Sequence, residues 1–166
     1  MTLTLESTSS LQSATIIRDF LASHRSGVLA TADETKQPHA AVVYFWLEDD
    51  FSLLFATKSE TQKYKNIQEN NQVAFAVYSE EDQTTVQITG RADVIEDAEK
   101  RQKITNAMFI SSAKSSKTEV PPADKLFAGE YVALRLLPSS IRMAVYARPD
   151  SEGDDDLFET LTFSNS

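Results

Sequence analysis

The residues best suited to chemistry lie at one joint of the chain, where a predicted strand meets a predicted helix. The apolar run Phe51–Ala56 is too short for a helix and stops at Thr57, which predicts a buried strand. Ser59 followed three residues later by Gln62 matches a capping box and predicts that a helix starts here. This order places several polar side chains together at the N-terminal end of a short helix.

That helix start has the composition of an anion site. Thr61 and Lys63 fall in its first turn, beside backbone N–H groups that have no acceptor within the helix. A helix N-terminus carries about half a positive charge and normally favours acids, whereas here Lys58 and Lys63 flank it. Hydroxyls, free N–H groups and an ammonium predict a phosphate site without a glycine-rich loop. The alternative is a solvated Lys63 paired with Glu60, a contact of little energetic weight.

Composition limits the class of protein. With 166 residues, 41% of them hydrophobic and 25% charged, the chain is predicted to form one globular domain. The net charge of −9 disfavours nucleic acids and anionic membranes as partners. The absence of cysteine excludes disulfides and thiolate metal sites. The first ten residues lack the features of a signal peptide and no apolar run has the length of a membrane span, which predicts a cytoplasmic protein.

The elements before the joint are a helix and two strands. Leu11–His24 has apolar residues at helical spacing, and Val28–Ala32 reads as a short strand. His39–Leu47 is predicted to form a hairpin with the strand at Phe51. Because this segment is apolar on both alternating faces, we expect it to be covered on both sides, by a helix, a partner subunit or a flat ligand.

The elements after the joint are mostly strands. Gly90 interrupts one of them and predicts a bulge or a barrel corner. Strands are predicted over Val73–Tyr78, Thr84–Ile95, Glu130–Leu137 and Ile141–Tyr146, the last two separated by Pro138, with a helix over Asp97–Ile110 and a loop over Ser111–Pro122. About seven strands joined mainly by tight turns, with two or three helices at the edges, predict a small antiparallel barrel.

With these elements placed, the sequence resembles the flavin-binding split-barrel family typified by pyridoxamine 5'-phosphate oxidase, over roughly residues 15–146. The resemblance is carried by Phe55–Thr57, the turn of Ser59, Thr61 and Lys63, the run Asn66–Val73, and Val86–Gly90. It implies a mainly β fold, a six- to seven-stranded antiparallel split β-barrel of the FMN-binding type, over residues 11–148. Residues 1–10 are then a flexible N-terminus and residues 149–166 an acidic C-terminal tail. The resemblance also implies a homodimer with the cofactor at its interface.

The resemblance assigns roles within the predicted site. It implies that the FMN phosphate sits on Thr61 and Lys63, with Thr57 close to the ribityl chain. The isoalloxazine ring would lie along the predicted strand that starts at His39, held mainly by backbone groups. Thr85 falls where the oxidases carry a glutamine that reaches the cofactor across the dimer interface, and Gln62 where they carry an arginine. The predicted cofactor-binding residues are Ala41, Val42, Val43, Tyr44, Thr57, Ser59, Thr61, Gln62, Lys63, Thr85 and Gln87.

The implied function is a flavin-dependent oxidoreductase acting on an unidentified small molecule. The oxidases bind their substrate's phosphate through tyrosine, arginine and serine on the helix after the long strand, but Asp97–Ser112 contains no tyrosine. We therefore do not expect pyridoxamine 5'-phosphate oxidase activity itself. No nucleophile with a base and an orienting acid can be assembled, so the catalytic residues are not identified. The alternatives are a non-catalytic flavin-binding or stress-related protein, or a split barrel that binds deazaflavin F420 or haem.

Other polar residues have simpler interpretations. His24 and His39 are predicted to be structural, and Asp154–Asp156 to be a solvated acidic segment, so no metal site is expected. Three arginines of the final strands are predicted to face solvent rather than to line a pocket for an anionic substrate: Arg135, Arg142 and Arg148.

Overall fold

The computed structural model describes residues 2–3, 8–115, 130–146 and 158–164, which form three helices and nine antiparallel strands. The helices are α1 (Thr8–Ser23), α2 (Gln62–Glu69) and α3 (Ala98–Ser115). The strands are β1 (Thr2–Leu3), β2 (Ser26–Ala32), β3 (Pro38–Tyr44), β4 (Trp46–Leu47), β5 (Leu53–Lys58), β6 (Gln72–Ser79), β7 (Thr84–Val94), β8 (Tyr131–Val145) and β9 (Phe158–Ser164). Because β1 and β4 have two residues each, seven strands carry the sheet. The predicted mainly β fold is confirmed.

The sheet is organised around β8. The hydrogen-bonded order is β1-β9-β8-β7-β6-β2-β3, and β5 is a further neighbour of β8. The first half of β8 pairs with β5 and its second half with β9, while β7 runs along its other edge. β3 and β5 pack beside each other, but no ladder joins them among the described strands. The barrel is therefore split at that point.

The interior is filled by the inward-facing residues of these strands. Phe55, Phe75, Leu134 and their neighbours are almost fully buried, as the period-two pattern predicts. Each such side chain contributes about 1.5 to 3 kcal/mol on leaving water. Helix α1 packs Ile17 and Leu21 onto the same core, whereas its neighbouring apolar residue Ile16 is exposed.

The strand predicted over 39–47 is broken at Phe45. Its backbone N–H donates to the carbonyl of Arg25 at 3.0 Å, which continues the register of the β2–β3 ladder by one pair before the chain leaves it. β3 therefore pairs only with β2, and the predicted hairpin survives as two pairs, Trp46 with Leu54 and Leu47 with Leu53. The break lets the chain leave one part of the sheet and join β5 in the other.

The two final strands of the sequence analysis are one strand, so that prediction was wrong. β8 continues through Pro138, which is paired with Gly90, while Thr89 is paired with Ser140. The register shift between Thr89 and Gly90 leaves Ser139 as an extra residue, and a bulge of this kind tolerates a proline. The bulge predicted at Gly90 is confirmed. A Cβ there would lie 2.1 Å from the carbonyl oxygen of Leu137, so only glycine fits.

Two predicted boundaries also change. Helix α3 extends to Ser115, so the first part of the predicted loop over Ser111–Pro122 is helical, and its remainder lies outside the described residues. β9 pairs with β8 and buries Leu161 and Phe163 in the core. The segment 158–164 is thus part of the barrel sheet, although the sequence analysis placed it in an acidic tail beyond residue 148. The short strand β1, in the predicted flexible N-terminus, pairs with β9.

Candidate functional site

The joint between β5 and α2 is where the predicted anion-binding residues come together. β5 delivers Thr57 and Lys58 to the end of the β5–β8 ladder, opposite Val132 and Tyr131. The backbone N–H of Ser59 then donates to the carbonyl of Glu130 at 2.9 Å, which ties the turn to the start of β8. The chain enters α2 immediately after this turn.

The prediction of a capping box formed by Ser59 and Gln62 is wrong. The N-cap of α2 is Thr61, in extended conformation, and its side chain makes no capping hydrogen bond. Ser59 lies before the helix, and the Gln62 side chain points along it, donating from Nε2 to Asn66 Oδ1 at 2.8 Å. The N–H of Thr61 donates to the carbonyl of Lys58 at 3.2 Å and that of Tyr64 to the carbonyl of Thr61 at 3.1 Å. The N–H groups of Gln62 and Lys63 are left without an acceptor in the described structure. The positive end of α2 is consequently open to an external acceptor.

Three side chains converge beside this helix end. Lys63 Nζ donates to Thr57 Oγ1 at 3.3 Å, and the hydroxyl oxygens of Thr57 and Thr61 are 3.1 Å apart. Thr61 Oγ1 donates its hydrogen to the carbonyl of Lys58 at 2.8 Å. Since Thr61 has already used its only hydrogen, Thr57 must donate to Thr61 and accept from Lys63. The result is a directed chain from the ammonium through two hydroxyls to a backbone carbonyl.

The Lys63 ammonium is half-buried without a counter-ion. Burial lowers the pKa of Lys63 below its ordinary value of 10.5. Within the described part of the chain it forms no ion pair, and the alternative contact with Glu60 is not made. Two of the three ammonium hydrogens remain after the bond to Thr57. Partial burial of a cation without a counter-ion carries a free-energy cost that a bound anion would offset.

A buried amide holds α2 in place. Asn66 is 0% exposed, and its Nδ2 donates to Thr31 Oγ1 on β2 at 3.0 Å. Its Oδ1 accepts from Gln62, so one polar relay links the first turn of the helix to the barrel wall. Asn66 begins one of the segments that carry the family resemblance, but no role was predicted for it from the sequence. An asparagine next to the buried Ile67, on an otherwise polar helix, was the available signal.

The strand predicted to carry the isoalloxazine ring presents an apolar outer face. Val43 is buried and Ala41 is half-buried, whereas Val42 is 71% exposed and Tyr44 is exposed. The cross-strand neighbour of Val42 is the exposed Val28 on β2. The single chain therefore provides the apolar surface that was predicted but does not cover it.

Thr85 and Gln87 belong to the same sheet but lie on β7. Gln87 is exposed and pairs with Ala76 of β6, while Thr85 is half-buried and pairs with Tyr78. No hydrogen bond among the described residues joins either side chain to α2. Within one chain the structure brings together Thr57, Thr61, Lys63 and, through the turn, Ser59, and leaves these two apart from them.

Arg135 was predicted to face solvent, but its guanidinium contacts side chains of the β4–β5 turn. It is half-buried, with Nε 2.9 Å from Ser52 Oγ and 3.0 Å from a Glu48 oxygen, and Nη2 2.6 Å from Asp50 Oδ2. Desolvation raises the pKa of Asp50, but hydrogen bonds from Ser52 and the charge of Arg135 outweigh it, so the pKa is lowered. This cluster fastens the β4–β5 turn to β8.

The remaining side chains singled out in the sequence have local contacts. Arg142 is exposed and stacks on Phe158 at 3.7 Å, and Arg148 lies outside the described residues. His39 Nε2 lies 3.7 Å from Asp33, and the described residues contain no group of three metal-binding side chains. None of the helices covered by the structure is long and apolar enough to span a membrane.

These features define an antiparallel split barrel with a lysine and two threonine hydroxyls together at one helix end and an apolar outer sheet face. A family model described as pyridoxamine 5'-phosphate oxidase matches residues 15–137, more than half of the 166 residues. The chain belongs to the pyridoxamine 5'-phosphate oxidase family, as the resemblance implied.

Solved structures agree with this assignment at the level of the fold. A putative pyridoxamine 5'-phosphate oxidase from Listeria innocua is 23% identical, with 80% of this chain and 97% of that chain covered and a TM-score of 0.60. General stress protein 26 from Bacillus anthracis is 26% identical over 81% of this chain and 92% of its own, with a TM-score of 0.57. A heme binding protein from Mycobacterium smegmatis is 16% identical, covering 96% and 60%, with a TM-score of 0.65. No curated protein matches the chain.

Proposed function

We propose that this protein binds FMN and acts as a flavin-dependent oxidoreductase on a small molecule. The observation that carries the proposal is the Lys63 ammonium, half-buried beside the Thr57 and Thr61 hydroxyls without an acidic partner in the described structure. A dianionic phosphate supplies the missing negative charge. Membership of the pyridoxamine 5'-phosphate oxidase family supports FMN as the source of that phosphate.

The residues at the joint fit a phosphate monoester. Lys63 has two free hydrogens for phosphate oxygens, and the backbone N–H groups of Gln62 and Lys63 supply neutral donors at the positive end of α2. Thr57, at the buried end of β5, borders the start of the ribityl chain, and Ser59 and Gln62 flank the phosphate. Burial strengthens each of these bonds, because competition from water is reduced.

The apolar outer face of β3 is the proposed surface for the flavin ring. Backbone groups from Ala41 to Tyr44 hold the ring, while Val42 and Tyr44 shield one side of it from water. A second copy of the chain covers the rest of the face and brings Thr85 and Gln87 to the cofactor of the first. The exposed Val42, Val28 and Tyr44 are the kind of contiguous apolar surface that a homodimer buries.

When bound, FMN supplies the hydride and electron chemistry, and the protein supplies position and exclusion of water. No side chain is assigned as acid or base. Lys63 keeps the phosphate in place and α2, anchored by Asn66 to Thr31, keeps Lys63 in place. The tyrosine of the oxidases' substrate-phosphate site has no counterpart in Asp97–Ser112, so the proposed substrate is not pyridoxamine 5'-phosphate.

The experiment is identification of the chromophore. Full-length protein is purified, its absorption spectrum recorded, and the cofactor released by heat and identified by mass. We expect FMN in the isolated protein, or its stoichiometric uptake when added. Haem or F420 in place of FMN would instead support the alternative of a split barrel that binds haem or deazaflavin. Protein that binds none of the three would refute cofactor binding. Bound FMN whose reoxidation no donor or acceptor changes would favour a non-catalytic or stress-related role.

A further inference from the structure

A cavity of about 240 Å³ lies between the end of α1 and the β3–β4 segment. We call it the α1 cavity. Its floor is apolar, with Leu21 fully buried and Phe45 nearly so, and the half-exposed Trp46 ring forms one wall. An engineered protein cavity of about 150 Å³ holds benzene. The α1 cavity therefore has room for a single aromatic ring with a substituent, against apolar and aromatic side chains.

The rim of the α1 cavity is cationic, although the whole chain is acidic. Arg18, His24 and Arg25 line it, and Asp49 is the one acid among its lining residues. Arg18 is held in place because its guanidinium donates to the backbone of Asp49 and stacks on Phe51 at 4.3 Å. The Asp49 carboxylate, 3.9 Å from Arg18, points into solvent. The acid thus offsets little of the positive charge facing the cavity.

Arg25 is the second arginine that lines the α1 cavity. Its backbone carbonyl accepts from Phe45, which fixes the residue next to the floor of the cavity, but its guanidinium makes no ion pair with any acid among the described residues. A guanidinium presents a planar fork of donors that matches a carboxylate. Arg25 thus lines an apolar cavity as an exposed cation that has no acidic partner in the described structure.

Two carbonyls at the C-terminal end of α1 accept hydrogen bonds from His24. A helix C-terminus carries partial negative charge on its last carbonyls. Here the backbone N–H of His24 donates to the Leu21 carbonyl at 3.2 Å, and its ring Nδ1 donates to the Phe20 carbonyl at 2.7 Å. Because a carbonyl can only accept, Nδ1 carries a hydrogen. The carbonyls of Phe20 and Leu21 therefore have hydrogen-bond donors at this end of the helix.

We infer that the α1 cavity binds a small organic monocarboxylate with a planar apolar body. Arg25 binds the carboxylate, Trp46 stacks on the body, and Leu21 and Phe45 form the floor. This site is separate from the proposed phosphate site, since none of its lining residues belongs to the β5–α2 joint. The inference does not depend on flavin binding.

The test uses 4-fluorobenzoate as the probe, followed by fluorine NMR on the full-length protein, with 4-fluorobenzyl alcohol as the uncharged analogue. We expect saturable binding of the carboxylate and at least about tenfold weaker binding of the alcohol. Arg25→Gln should weaken carboxylate binding about tenfold, and Arg25→Lys should weaken it less, because the charge is kept and the fork is lost. Trp46 is the only tryptophan in the chain, so its fluorescence must change over the same concentration range.

Lys103→Gln is the matched control. Lys103 lines a separate apolar pocket of about 150 Å³ on the α3 side, which also contacts Trp46, so the same charge is removed near the same ring. Carboxylate binding should be unchanged in this variant. The inference is overturned if binding does not saturate, if Arg25→Gln and Arg25→Lys bind like the wild type, if Trp46 emission stays constant, or if Lys103→Gln alone weakens binding. The last result would place the ligand under α3.

Discussion

Replacing Lys63 by alanine removes, from the proposed phosphate site, a charged side chain that has spare donors and no counter-ion among the described residues. A hydrogen bond to a charged group is worth about 1.5 to 3 kcal/mol when both partners are shielded from water. Because Lys63 is half-buried, the lower half of that range applies. The Lys63→Ala variant should therefore bind FMN roughly 10- to 40-fold more weakly than the wild type.

The assay is a flavin titration, following the change in flavin fluorescence, on protein stripped of cofactor. Riboflavin has the same ring and ribityl chain but no phosphate, so its affinity should be equal in wild type and variant. Lys65→Ala is the control, since Lys65 is an exposed lysine of the same short helix and its loss changes the net charge equally. Long-range electrostatics would weaken FMN binding in both variants, whereas a direct contact affects only Lys63→Ala.

Two results would refute this reasoning. Equal FMN affinity in Lys63→Ala and wild type would mean that the phosphate is bound elsewhere. An equal loss of riboflavin and FMN affinity would mean that Lys63 shapes the site without contacting the phosphate. A stability measurement provides an independent check, because burial lowers the Lys63 pKa and so disfavours its charged form. In flavin-free protein the charged Lys63 therefore lowers the free energy of unfolding at neutral pH. This loss is relieved as pH rises through the lowered pKa towards 10.5.

Three further perturbations test other parts of the structure. Asn66→Ala leaves the Thr31 hydroxyl without its buried partner and should reduce the free energy of unfolding in urea by about 1 to 3 kcal/mol; an unchanged midpoint would contradict the relay. The pKa of Asp50 is lowered, so its contribution to stability is complete above pH 3.8 and lost as pH falls through the folded value. Asp50→Asn should remove that acid-dependent loss, and a variant that keeps the wild-type acid profile would contradict it. Val42→Asp should convert the proposed homodimer to a monomer in light scattering, because a carboxylate would be buried in an apolar interface. Gln102→Asp, on the exposed face of α3, should leave the dimer intact. A dimer in both variants would place the interface elsewhere.

Much of the fold could be predicted because the relevant information is local. Alternation of apolar residues in Val73–Tyr78 and Thr84–Ile95 follows directly from the pleat of a strand, and the bulge at Gly90 follows from a glycine within such a run. Thr57, Thr61 and Lys63 are separated by at most six residues, so any strand followed closely by a helix brings them together. Their proximity therefore did not require knowledge of the topology.

The errors have non-local causes. Ser59 does not cap α2 because its N–H is held by Glu130, a residue of the distant strand edge. The strand predicted over 39–47 divides at Phe45 because its first part pairs with β2 and its last two residues pair with β5. The change of partner is set by the topology of the sheet. Arg135 lies on the outward side of β8, as period two predicts, yet it meets Ser52, which is 83 residues away in sequence. Turn residues folded over a sheet surface change the environment of a side chain without changing its periodicity.

The proposed FMN site depends on the phosphate contact of Lys63, and a crystal structure of the full-length protein with FMN tests this contact most directly. We predict the phosphate at the start of α2, with Lys63 Nζ about 3 Å from a phosphate oxygen, and the flavin ring against the outer face of β3. An FMN phosphate bound away from α2, with Lys63 still donating only to Thr57, would contradict the proposed phosphate site.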